Sequence, residues 1–67
     1  MVYFYYMELT DEHGKVVYAS NGVISGDSPI TTSEQFQEAL EFLEDMARKN
    51  YIFSKGKTFM LKQFNPL

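Results

Sequence analysis

Cysteine and tryptophan are absent from this chain of 67 residues, and histidine and proline are scarce, with one copy of the first and two of the second. Without thiols there is no disulfide, and with His13 as the lone imidazole there is no structural zinc site of thiolate and imidazole ligands. No apolar run approaches the roughly 18 residues of a membrane span. The first residues lack the basic start and small-residue cleavage site of a secretory leader. These absences point to a cytoplasmic chain, in a bacterium or one of its viruses, with no cofactor, no metal and no membrane partner. Bases are also in short supply: six stand against nine acids, for a net charge of −3. That sign argues against direct binding of nucleic acid, whose phosphates call for a basic surface.

What is present is apolar and aromatic. At 45% hydrophobic and 16% aromatic residues, the composition belongs to a folded chain, well above the disordered class. The length suits a single small globular domain over 1–67, whose core supplies only about 3–5 kcal/mol. Disulfides and zinc being excluded, self-association is the remaining route to extra stability. The charge is also polarised. Met1 to Ala47 holds all nine acids and one base, Lys15, whereas Arg48 to Leu67 holds the other five bases and no acid.

Val2 to Leu9 (VYFYYMEL) is dense in the aromatic and β-branched side chains that suit a pleated surface, and reads as a strand. Thr10 to Lys15 is turn chemistry, with Gly14 where a type I turn followed by a left-handed residue needs it. Val16 to Ile24 returns as a second strand. Pairing Asp11 with Lys15 sets Leu9 opposite Val17, Met7 opposite Ala19 and Tyr3 opposite Val23. Ser25 to Thr32 is a loop by its Gly, Asp, Ser and Pro content. Thr32 then reads as a helix N-cap, with Gln35 completing a capping box and Glu34 in the first turn. Phe36, Ala39, Leu40, Leu43, Met46 and Ala47 repeat at helical spacing up to about Asn50, so the helix is expected to pack through Phe36, Leu40 and Leu43. Tyr51-Ile52-Phe53 is a short apolar stretch, Lys55-Gly56 a turn, and Thr58 to Phe64 a last strand. The fold expected is α+β: an antiparallel sheet of three strands, or four if Tyr51–Phe53 pairs separately, with one amphipathic helix on one face and the order β-β-α-β.

Two surfaces follow. The first strand is apolar on both sides, and one helix covers one face. In the register above, Phe4, Tyr6, Val16 and Tyr18 gather on the other face, with Met60 or Phe64 beside them. Contiguous apolar patches of this kind mark contact surfaces, unless Tyr51–Phe53 or the last residues fold over them. The second surface is a ridge of Glu34, Glu38, Glu41 and Asp45, spaced to project from one side of the helix. It reads either as an ordinary solvated face, relieved by Glu44–Arg48 and Asp45–Lys49 pairs, or as an acidic mimic of nucleic-acid phosphates.

Constellations for chemistry are weak. His13 lies beside Asp11 and Glu12, but consecutive turn residues diverge and zinc needs three convergent ligands. Ser54-Lys55-Gly56-Lys57 lacks the glycine framework and following helix of a phosphate loop. No serine or threonine has a histidine and an orienting acid in sequence support of nucleophilic catalysis. Base stacking on the exposed tyrosines would need basic neighbours, and this face offers Glu8 and Lys62. The sequence therefore predicts a non-enzymatic protein-contact module with no small-molecule substrate, homodimeric through its open sheet face. The alternative is an acidic decoy of phage type that offers its helix ridge to a nucleic-acid-binding protein.

Overall fold

The computed structural model describes Met1–Leu67 and contains β1 (Val2–Thr10), β2 (Val16–Ser25), α1 (Ser33–Asn50) and β3 (Thr58–Pro66). The strands form one antiparallel sheet in the order β2-β1-β3, with the helix across one face, which is the expected α+β arrangement. No helix is long and apolar enough to cross a membrane.

The β1–β2 turn forms as its residues dictate. Asp11 N–H donates to Lys15 O at 2.9 Å, and the Asp11 carboxylate accepts from the N–H groups of His13 and Lys15, both at 2.9 Å. Gly14 takes φ +80°, a left-handed conformation that a Cβ disfavours. Beyond the turn the ladder departs from the expected register. Thr10 faces Val16, but Leu9 faces Tyr18, so a bulge consumes Val17 and every later pair slips by one: Met7 faces Ser20 and Tyr3 faces Ile24. The cause is burial. The bulge lets the consecutive Val17 and Tyr18 both pack against the core, which strict alternation forbids. The slip also sets Gly22 opposite Tyr5, where a Cβ would come within 3.0 Å of the Tyr5 hydroxyl.

Tyr3, Tyr5, Met7 and Leu9 point to the helix and are buried, as are Leu43 and Ala47 from the helix. The expected helix stripe is corrected here. Leu43 is the central contact, whereas Leu40 is half-buried and Phe36 lies at the margin, edge-on to Phe64. The fully buried helix residues, Leu43 and Ala47, lie in its second half, while bulky rings pack against the first half: Phe64 stacks on Tyr3 with centroids 5.0 Å apart. Thr32 caps the helix with both halves of the capping box in place. The Tyr3 hydroxyl accepts from Ile30 N–H at 2.8 Å, tying the loop before the helix to the central strand.

Tyr51–Phe53 makes no strand. Its residues open the first of two successive turns, in which Ser54 N–H donates to Tyr51 O and then Lys57 N–H to Ser54 O. β3 contains a second bulge, at Lys62, between its pairs with Tyr6 and Met7.

Candidate functional site

The sheet face away from the helix has nothing folded over it. Alternation along β1 places Val2, Phe4, Tyr6 and Glu8 there. The slipped register adds Ser25, Val23, Asn21 and Ala19 from β2, while Asn65, Gln63 and Met60 come from β3. Val23 is 58% exposed and Met60 42%, while Phe4 and Tyr6 are half-buried between their neighbours.

Tyr18 is the residue that the expected face loses. The bulge turns it to the helix side, where its ring lies 5.7 Å from that of Tyr51. Phe64 is likewise on the helix side, opposite Tyr5. Of Phe4, Tyr6, Val16 and Tyr18, the structure keeps Phe4 and Tyr6 together at the centre of the open face, with Val16 exposed at the hairpin end opposite Thr10. Val23 and Ala19 take the place of Tyr18. The signal for this was the unbroken apolar run Val16-Val17-Tyr18, which alternation cannot bury on one side.

The segments that were candidates to cover this face are elsewhere. Tyr51 packs with Tyr18 under the helix end, Ile52 and Phe53 are 80% and 69% exposed, and the last residues extend β3, with Leu67 N–H donating to Val2 O. The turn that carries Ile52 and Phe53 is held by one side chain. Arg48 donates to Ser54 O at 2.8 Å and to Lys57 O at 3.1 Å, while Glu44 grips the same guanidinium at 2.8 Å.

Two side-chain contacts sit on the open face: the Gln63 amide donates to Asn65 Oδ1 at 3.0 Å, and the Tyr6 hydroxyl donates to a Glu8 carboxylate oxygen at 2.8 Å. The hydrogen bond to Glu8, then desolvation, then the Glu8 charge raise the Tyr6 phenol above its ordinary pKa. A raised folded value means that the neutral phenol is favoured by folding. This contribution is complete below the unfolded pKa near 10 and is lost as pH rises through the folded value. Phenolate absorbance during alkaline titration is expected to show the Tyr6 step, assigned by its loss in Tyr6→Phe, moving down in Glu8→Gln. An unmoved step would show that Glu8 does not hold the proton.

The helix acids lie as the spacing dictates. Glu34, Glu38, Glu41 and Asp45 are all exposed, and none forms an ion pair. The Glu44–Arg48 pair forms, and Asp45–Lys49 does not. At the hairpin end, Asp11, Glu12 and His13 share a shallow polar hollow with Lys55 and Lys57, a juxtaposition that the sequence does not suggest. The Asp11 carboxylate is engaged by its own turn, His13 contacts Glu12 at 3.5 Å in solvent, and no group of three metal-ligating side chains is assembled. Comparison with protein families, curated proteins and solved structures finds no match to this chain.

Proposed function

We propose that this chain is a non-enzymatic protein-contact module that works through its open sheet face, with a second copy of itself as the occupant. The observation that carries this reading is the row of Phe4, Tyr6, Val23 and Met60 on a face that no part of the chain covers. Physical need points the same way: the core has six buried apolar residues, a small store of stability. Strands of nine or ten residues make a face about 30 Å long and 14 Å wide. Pairing two such faces removes on the order of 1,000 Å² from water, the lower limit for a specific interface. The association is therefore weak and concentration-dependent.

Light scattering behind size exclusion tests it. The wild type is expected to self-associate at micromolar concentration, and Met60→Lys and Tyr6→Glu each to halve the particle mass by placing charge in the contact. Met60 is the cleaner probe. It is exposed and lies opposite Glu8, so lysine there finds an opposite charge in the folded monomer. Unchanged mass in both variants would remove the sheet face as the contact.

A second reading rests on the exposure of Glu34, Glu38, Glu41 and Asp45 without an ionic partner. As a phosphate mimic, this ridge engages a basic protein. Such binding weakens steeply with salt, because exposed charges are screened over about 8–10 Å, and contact through the sheet face does not.

A further inference from the structure

The two edges of the sheet are not equally protected. In an antiparallel ladder, pairs that exchange backbone hydrogen bonds alternate with pairs that do not. Met1 and Gly26 are a bonded pair: Gly26 N–H donates to Met1 O at 2.9 Å, and the Met1 amine donates to Gly26 O at 3.0 Å. Stepping along the unbroken register from there, Ile24, Gly22, Ser20 and Tyr18 turn their backbone groups toward β1. Ser25, Val23, Asn21 and Ala19 turn theirs away, and no other strand or side chain reaches them.

Unpaired edges are templates for another strand, and proteins blunt them with charge, proline and bulges. β3 has all of these: Lys62 at a mid-strand bulge that breaks the phase of the ladder, and Pro66, without an N–H, among its outward residues. β2 has none along its regular length. From Val16 to Gly26 there is no charged residue and no proline, and the bulge at Val17 lies at one end.

We propose that β2 is a second association surface, on which β2 of another copy adds in antiparallel fashion with Asn21 on the twofold axis. Three observations select a second copy. Asn21 is itself an outward residue, so pairing about it matches Ala19 of each chain with Val23 of the other as bonded pairs and satisfies the outward groups of Ala19, Asn21 and Val23. The same register sets Tyr18 opposite Ile24 on the helix side and Ala19 opposite Val23 on the open side, apolar against apolar. A slip of one residue would put helix side against open side and is forbidden. Finally, two chains of net charge −3 meet along a seam that carries no charge. The twofold axis stands perpendicular to the sheet and keeps both helices on one face. It also brings Phe42, 56% exposed and sharing a groove with Ile24, to the side on which the second helix lies.

This inference does not depend on the open face being occupied, because edge and face are different surfaces and each can be removed alone. The absence of native cysteine makes the register testable by crosslinking. In oxidised glutathione, a mixture of Ala19→Cys and Val23→Cys chains is expected to yield a disulfide-linked heterodimer, and either chain alone little or none, since each position faces the other across the seam. In parallel, Asn21→Pro removes the central outward N–H at a position where an edge strand tolerates proline, and is expected to halve the particle mass. If Met60→Lys and Tyr6→Glu both leave the mass unchanged while the mixture still crosslinks, the face reading fails and the edge stands. A mixture that crosslinks no better than the single chains overturns the edge pairing, whatever the mass of the wild type and whether or not Asn21→Pro folds.

Discussion

Leu43→Ala is expected to leave this protein largely unfolded at room temperature. Leu43 has no exposed surface and sits with Met7, Leu9, Tyr5 and Ala47 in the buried core cluster. Truncating a leucine in such a site costs about 2–5 kcal/mol through lost transfer energy and the cavity left behind. That cost equals the whole stability expected of a core this small, roughly 3–5 kcal/mol. Leu40→Ala serves as the comparison. Leu40 lies three residues earlier but is half-buried at the mouth of an open groove between α1 and β3, where neighbours and water fill the gap at lower cost. A thermal melt followed by circular dichroism reads both variants. A cooperative Leu43→Ala transition within a few degrees of wild type, or a Leu40→Ala transition lower than that of Leu43→Ala, would show that the helix packs about a different residue.

The second large effect is expected at Arg48. Its guanidinium is the donor for two carbonyl groups of the turn that joins the helix to β3, those of Ser54 and Lys57, with the Ser54 side chain buried beneath. Hydrogen bonds from charged donors contribute more than neutral ones, and Arg48→Met is expected to cost about 2 kcal/mol by leaving both carbonyls without their partner. The Glu44 pair is half exposed and contributes far less, so Glu44→Gln is expected to cost under about 0.5 kcal/mol. Arg48→Lys separates geometry from charge. An ammonium keeps the charge but cannot fork to two carbonyls and a carboxylate at once, so urea denaturation should place it near Arg48→Met. Stability equal to wild type in Arg48→Lys would show that charge alone suffices.

How far the sequence leads depends on how local the physics is. The capping box at Thr32 and Gln35 and the turn at Asp11–Lys15 with its left-handed Gly14 are each settled by residues within a turn or two of one another, and each forms as read. The register of β2 is different. Alternation alone places Tyr18 beside Tyr6. The bulge that moves it pays off only through burial against the helix, at the level of the whole fold. The same holds for Tyr51-Ile52-Phe53, an apolar triplet that suits a strand by composition. Its shape is imposed by Arg48, a residue whose reach to Ser54 and Lys57 no periodicity encodes. On the candidate surface, Phe4 and Tyr6 were legible because β1 is regular throughout, while Val23, Ala19 and Asn21 were not, because their side of the sheet depends on that single extra residue.

The strand order has a consequence in time. β1 lies at the centre of the sheet, yet its two neighbours lie at very different distances along the chain: β2 follows a tight turn, whereas β3 follows the helix and all that precedes it. Hairpins close in microseconds, and pairing between distant segments is slowed by the entropy of closing long loops. The β1–β2 hairpin and the helix are thus set to form early, and β3 to dock last. Until it does, the centre of the finished sheet is a rim, with the backbone groups of Phe4, Tyr6 and Glu8 that later bind β3 facing water. A chain caught at that stage offers two open rims instead of one protected and one not, and refolding at high concentration should lose material to aggregates during that interval.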